Sequence, residues 1–173
     1  MDRNIEKAIA VTSCQTAFGW VGIAWSEQGL VALTLPQPTE PEALHHLPAS
    51  HGSVPAVVPG LDVAVLGDKL RRYFDGEPVT FDEALDPSLG TDFLRRVWAI
   101  TRGIPRGQTR TYGELARMAG SPGAARAVGQ SMARNPWPII VPCHRVLGSD
   151  GSLTGFGGGV DMKRRMLEQE GAI

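Results

Sequence analysis

Three prolines stand within one short apolar run, Asn135-Pro136-Trp137-Pro138-Ile139-Ile140-Val141-Pro142-Cys143-His144-Arg145-Val146. Each proline fixes its own φ and biases the residue before it toward extended backbone. The chain around Cys143 is therefore stiff, as holding a nucleophile in one place requires. The run delivers a thiol, an imidazole and a guanidinium in consecutive positions. Successive side chains on an extended strand point to opposite faces, so Cys143 and His144 can cooperate only if the chain turns here. Pro142 makes that turn credible, and Asn135 is the expected turn-stabilising amide. The competing reading is a small buried, inert cysteine at a strand end.

The net charge of −1 conceals a division. Residues 1–90 carry 5 Lys+Arg against 12 Asp+Glu, and residues 91–173 carry 12 against 6. A basic half joined to an acidic half suits a polyanion-binding module on a solubilising partner, and chance segregation of surface charge is the alternative. Eleven of the twelve basic residues in the second half are Arg, which favours phosphate and base recognition. No apolar run is long enough to span a bilayer, so no membrane association is expected. The opening Met1-Asp2-Arg3-Asn4-Ile5-Glu6-Lys7 has no apolar signal core behind it. Two cysteines, Cys14 and Cys143, make no disulfide framework, and free thiols fit a cytoplasmic setting.

Apolar runs at Ala8–Ser13, Phe18–Trp25 and Leu30–Leu35 predict strands, the last two joined by a hairpin at Ser26-Glu27-Gln28-Gly29. Six prolines between Pro36 and Pro59 predict a surface loop with a short helix at Glu42–Leu47. A helix is expected within Leu61–Phe74, closed by Gly76, and then a short strand at Val79–Phe81. In the second half, Thr91 should cap a helix running to Thr101. Thr111-Tyr112-Gly113-Glu114 reads as a capping box opening a helix to Met118. Gly120 stops it, and Ser121 with Pro122 would start another running to about Arg134. Helix, tight turn, helix is a helix-turn-helix pattern. A last helix is expected over Asp161–Glu170. The expected fold is α/β (α+β): residues 1–88 form a small α/β domain with a short antiparallel sheet and a Pro-rich loop at 36–60, and residues 89–173 form a mainly helical domain.

Pro142-Cys143-His144-Arg145-Val146, with Asn135-Pro136 before it and Gly155-Phe156-Gly157-Gly158-Gly159 after it, resembles the active-site signature of the O6-alkylguanine-DNA alkyltransferases (methylated-DNA–protein-cysteine S-methyltransferases). The resemblance continues through Thr111-Tyr112-Gly113-Glu114-Leu115-Ala116 and Ala124-Ala125-Arg126-Ala127-Val128-Gly129. It covers roughly residues 91–171 well and the first half loosely. It implies suicidal transfer of an alkyl group from O6-alkylguanine in double-stranded DNA to Cys143, with no cofactor. His144 would take the thiol proton through a bridging water, and Glu170 would hold the imidazole. The helix carrying Ala125, Arg126, Ala127 and Gly129 would enter the minor groove, with Arg126 replacing an extruded nucleotide and Tyr112 pressing on the adjoining phosphate. Extrusion answers a need, since the O6 substituent is out of reach inside the stack. The pocket would come from Tyr112, Met132, Pro138, Val146 and Phe156, with Gly157 and Gly158 admitting backbone amides to the purine. The Tyr112 hydroxyl would protonate the ring as the alkyl group leaves, and the carbonyls of Cys143 and Val146 would accept from the exocyclic amine. Phe156 and Gly157 depart from residues found in many relatives, which leaves substrate range open, O4-alkylthymine included.

Some members of that family hold a structural zinc, but Cys14, His45, His46 and His51 lack zinc-site spacing, and no metal is expected. Arg145 is either a structural ion-pair partner, the favoured reading, or a phosphate contact. A monomer is expected, with cooperativity on DNA left open. The alternative function is a non-enzymatic lesion sensor, against which Cys143 itself argues. A transcription regulator would need further domains, and a Cys-His hydrolase would have no use for the helix pair.

Overall fold

The computed structural model describes residues 6–173, so the charged opening Met1–Ile5 lies outside the described residues. The chain divides into two compact units between Ser88 and Leu89.

In the first unit, β1 (Ala10–Thr16), β2 (Gly19–Ser26) and β3 (Gly29–Leu33) form an antiparallel sheet in chain order. The Ser26–Gly29 connection is the expected hairpin, and Gly29 takes a φ of 131° there, with the Ala84 carbonyl oxygen where a Cβ would lie. The first strand starts two residues later than its apolar run. Helices α1 (Glu40–His45) and α2 (Val63–Phe74) pack on the sheet. Asp62 caps α2 by accepting from the amides of Ala64 and Val65. Leu66, Leu70, Tyr73 and Phe74 recur at helical spacing and are buried where α2 packs on β1, a stripe of the kind that holds a surface helix to its core. The Pro-rich segment also holds a small hairpin, β4 (Val57–Val58) with β5 (Leu61–Asp62), which its composition hid. The strand expected at Val79–Phe81 is absent. Phe81 instead turns its ring onto Tyr73, and pairing occurs further on as a single bridge between Leu85 and Leu30.

In the second unit, α3 (Asp92–Arg102) is capped by the Thr91 hydroxyl as expected. The capping box at Thr111 and Glu114 is complete and opens α4 (Tyr112–Met118). Gly120, at φ 78°, closes α4: its N–H reaches the Arg117 carbonyl, and Ser121 N–H reaches that of Ala116, a Schellman closure. The next helix, α5 (Ala125–Ala133), begins later than Ser121 and Pro122 suggested. Ser121–Ala124 closes as a turn through Ala124 N–H to the Ser121 carbonyl, with Pro122 at the position turns favour, so α5 has no side-chain cap. The chain ends with α6 (Val160–Gln169), whose C-cap Glu170 is followed by Gly171 at φ 73°. A parallel pair outside the helical pattern, β6 (Arg110–Thr111) with β7 (Val146–Leu147), brings the start of α4 beside the Cys143 segment. The fold is thus mixed α and β, with helices and small sheets in each unit. Among the described residues no helix is long and apolar enough to cross a membrane.

Candidate active site

Around Cys143 the backbone turns twice. Pro142 sits at φ −78°, ψ 71°, the centre of an inverse γ-turn closed by Cys143 N–H to the Val141 carbonyl at 2.7 Å. A 3₁₀ turn, Cys143–Arg145, follows at once. The turn that Cys143 and His144 require is therefore present, and neither residue lies on an extended strand. Upstream, Asn135 fastens the loop at two points: its Nδ2 donates to the Val141 carbonyl at 2.8 Å, and its Oδ1 accepts from Trp137 N–H at 3.0 Å. Inside that clamp Ile139 has φ 79°, a conformation that bulky β-branched side chains rarely adopt. Trp137 packs edge-on against Trp98 of α3 at 5.3 Å, and the Trp98 indole N–H donates to the Ser131 carbonyl.

Cys143 is buried, and burial pushes its thiol up; the Asn135 amide and the charge of Lys163 pull the other way without winning. The resting group is a protonated thiol that needs a base. His144 is wholly buried, and its Nε2 lies 2.7 Å from Glu170 Oε1. Burial drives the imidazole down, against the pull of Glu170. The neutral ring thus donates from Nε2, leaving Nδ1 as the basic nitrogen. Burial alone would raise Glu170, but bonds from His144 and Arg145 outweigh it and hold this carboxyl far below the usual range. Arg145 grips Glu170 with two bonds of 2.8 Å and reaches the Ile104 carbonyl at 2.6 Å, the structural of its two readings. The result is a buried thiol next in sequence to a buried imidazole, which is held by a carboxylate that is itself anchored.

Tyr112 opens α4 with its hydroxyl donating to the Thr154 carbonyl at 3.3 Å; burial and the nearby Cys143 raise its phenol. A Cβ on Gly129 would sit 3.9 Å from the Tyr112 ring, which places α5 against this side chain. Arg126 projects exposed from the first turn of α5, between the half-buried Ala125 and Ala127. Met132 is buried on α5 three residues beyond Gly129, with its sulfur 3.9 Å from the Thr101 hydroxyl. Pro138 is buried within the clamped loop, and Val146 is wholly buried. Phe156 is half-buried, with Gly157 and Gly158 in the strap leading to α6.

Two residues escaped the sequence reading. Lys163 of α6 is wholly buried, and its Nζ donates to the carbonyls of Val146 and Thr154. The signal was available: Lys163, Met166, Leu167 and Glu170 fall at i, i+3, i+4 and i+7, one face of the helix. Ile139 is the other, and nothing in its residue type announces a left-handed backbone. Among the described residues no group of three or more His, Cys, Asp or Glu side chains could hold a metal ion.

A helix-turn-helix whose first helix follows one strand of a two-stranded ladder, the other strand of which follows the turn that carries a buried cysteine, defines a thiol-centred site on a nucleic-acid-binding scaffold. A family profile described as 6-O-methylguanine DNA methyltransferase, DNA binding domain, matches residues 92–172. The methylated-DNA–protein-cysteine methyltransferase of Mycobacterium tuberculosis is 56% identical over 103 residues, 60% of this chain and 62% of its own length. That of Shigella flexneri is 44% identical over 130 residues, 75% of this chain and 74% of its own. The crystal structure of Mycobacterium tuberculosis OGT in complex with DNA superposes with a TM-score of 0.75 at 42% identity, covering 94% of this chain and 92% of that one. The chain belongs to the methylated-DNA–protein-cysteine methyltransferase family. The match spans less than two thirds of the mycobacterial relative's sequence.

Proposed function

We propose that this protein reverses alkylation damage directly, moving the alkyl group of O6-alkylguanine in double-stranded DNA irreversibly onto Cys143, once per molecule. The observation that carries the reading is the buried thiol of Cys143 beside the chain His144–Glu170–Arg145, set on a helix-turn-helix. His144 takes the thiol proton through a bridging water. The thiolate attacks the alkyl carbon, the new S–C bond forms as the C–O6 bond breaks, and the electron pair passes to the purine. The Tyr112 hydroxyl supplies a proton to the ring, so a neutral guanine leaves. The thioether at Cys143 is stable, and no second nucleophile in the site removes it. DNA binding is assigned to α5, with Arg126 filling the gap left by the rotated nucleotide. The protein acts as a monomer in a reducing cytoplasm, in keeping with its two free cysteines.

The test is intact and peptide mass spectrometry after incubation with duplex DNA carrying one O6-methylguanine, beside a Cys143→Ala control. One methyl on the Cys143 peptide, saturating at one per protein, supports suicidal transfer. Tight binding with no mass gain makes the protein a lesion sensor, and repeated release of product from one molecule would end the single-turnover reading.

A further inference from the structure

The first unit holds a cavity of about 360 Å³ between α2 and the β1–β2 face that carries Thr12, Cys14 and Ile23. That volume lies at the lower end of the range of small-molecule sites. Val63, Gly67 and Arg71, at i, i+4 and i+8 on α2, supply the helix side of its wall. Trp25 adds an aromatic wall that is already fixed, since its indole N–H donates to the Pro55 carbonyl at 2.8 Å.

Gly67 keeps this space open. Glycine in a helix interior is destabilising relative to alanine. Packing does not demand it here: Gly67 has no positive φ, and a Cβ would meet only the Cys14 Cβ, 3.9 Å away, an ordinary contact. The helix forgoes a side chain that its neighbours would admit, and the space left lies in the cavity wall.

The same stripe carries an unbalanced charge. Of the three basic residues of α2, Lys69 pairs with Asp82 and Glu83, and Arg72 pairs with Glu77. Arg71 meets no carboxylate among the described residues. A cation in a last helical turn is favourable in itself, but this one also lines the cavity. Burial raises the Cys14 thiol above its ordinary value, and the Arg71 charge is close enough to oppose that effect.

We propose that this cavity binds a small organic monoanion, its apolar body lying against Ile23, Trp25 and Val63 and its acidic group on Arg71. The site lies wholly within the first unit and does not rest on the alkyl-transfer reading above. An apolar chamber with one convergent charged group is the usual form of such a site.

Calorimetric titration of the full chain tests this with naphthalene-1-acetate and with naphthalene-1-acetamide, which keeps the shape and lacks the charge. Wild type should bind the acid saturably, one per chain, and the amide about tenfold more weakly, the worth of a charge-assisted hydrogen bond. Arg71→Gln should lower the affinity for the acid to that for the amide and leave the amide unchanged. Gly67→Leu, which fills the cavity, should abolish binding of both. Gly67→Ala has room for its methyl, so it should melt above wild type and bind the acid more weakly, and it decides the matter if the Leu variant does not fold. No saturable binding by wild type, equal affinity for acid and amide, or unchanged binding by the folded Gly67 variants would each overturn the proposal. A Gly67→Ala variant that melts below wild type would show that packing requires the glycine, which also overturns it.

Discussion

His144 Nε2 lies 2.7 Å from Glu170 Oε1, and both side chains are fully shielded from solvent. The same carboxylate takes two bonds from Arg145. A buried carboxylate shared by a neutral imidazole and a permanent cation is held ionised by the cation, which frees the imidazole to stay neutral and basic. That division of labour suits the role proposed for His144, as base for a thiol whose own burial resists ionisation. The Schellman closure after α6 supports it, since Gly171 N–H and Ala172 N–H satisfy the carbonyls of Glu168 and Leu167 and hold Glu170 at the cap.

These groups set how stability responds to acid. The His144 value is lower folded than unfolded, so as pH falls below about 6.5 the unfolded chain binds a proton that the native site refuses. The Glu170 value is also lower folded. Its contribution is complete above the unfolded carboxyl value of about 4.3 and is lost progressively as pH falls toward the folded one. Stability of the second unit should therefore decline from near pH 6.5 and more steeply below about 4.3. Glu170→Gln should make the lower limb shallower. Hydrogen exchange of peptides from residues 135–147, followed from pH 7.5 to 4, measures this directly, and protection unchanged across that range would contradict it.

Arg145 is the anchor of the chain. Replacing it with Met takes two charge-assisted bonds from the buried Glu170 carboxylate and strips the Ile104 carbonyl of its donor. Removing one partner of a buried pair costs about 3 kcal/mol or more. Arg145→Met should lower the unfolding free energy of the second unit by about that amount, read from urea titration with the same peptides as probes. A loss below about 1 kcal/mol would place Arg145 among surface ion pairs and reopen its reading as a phosphate contact.

Much of this arrangement was legible in the sequence because the relevant signals were local. Pro142 announced the turn, Thr111 and Glu114 announced the start of α4, and Gly120 its end, each through backbone chemistry confined to a few residues. What was hidden depended on tertiary partners. The β6–β7 ladder joins two-residue strands far apart in the chain, too short to carry an alternating pattern. Pro122 looked like a first helical residue but serves the turn before α5, since both roles want the same φ. Lys163 lay in plain view on the buried stripe of α6, yet a single charged side chain there reads as a helix edge until its carbonyl partners are known. Glu170 lies on that stripe too, and it was singled out only through the family signature.

Ile139 offers the sharpest test of how the Cys143 loop is held. Its φ of 79° costs an estimated 1–3 kcal/mol, and the Asn135 clamp with the Val141 N–H to Trp137 carbonyl bond keeps it there. Ile140, its neighbour, is equally buried but has no such backbone. Truncating either side chain removes similar apolar contact, but only at 139 does glycine also release strain. Ile139→Gly should therefore destabilise the unit less than Ile140→Gly, by about 1–3 kcal/mol in urea unfolding. Asn135→Ala, which takes away both ends of the clamp, should cost about 2 kcal/mol, and the loss should be smaller in the Ile139→Gly background, where no strained residue needs restraint. Equal losses at 139 and 140, with Asn135→Ala strictly additive to Ile139→Gly, would mean that the loop carries no stored strain and that packing alone positions Cys143.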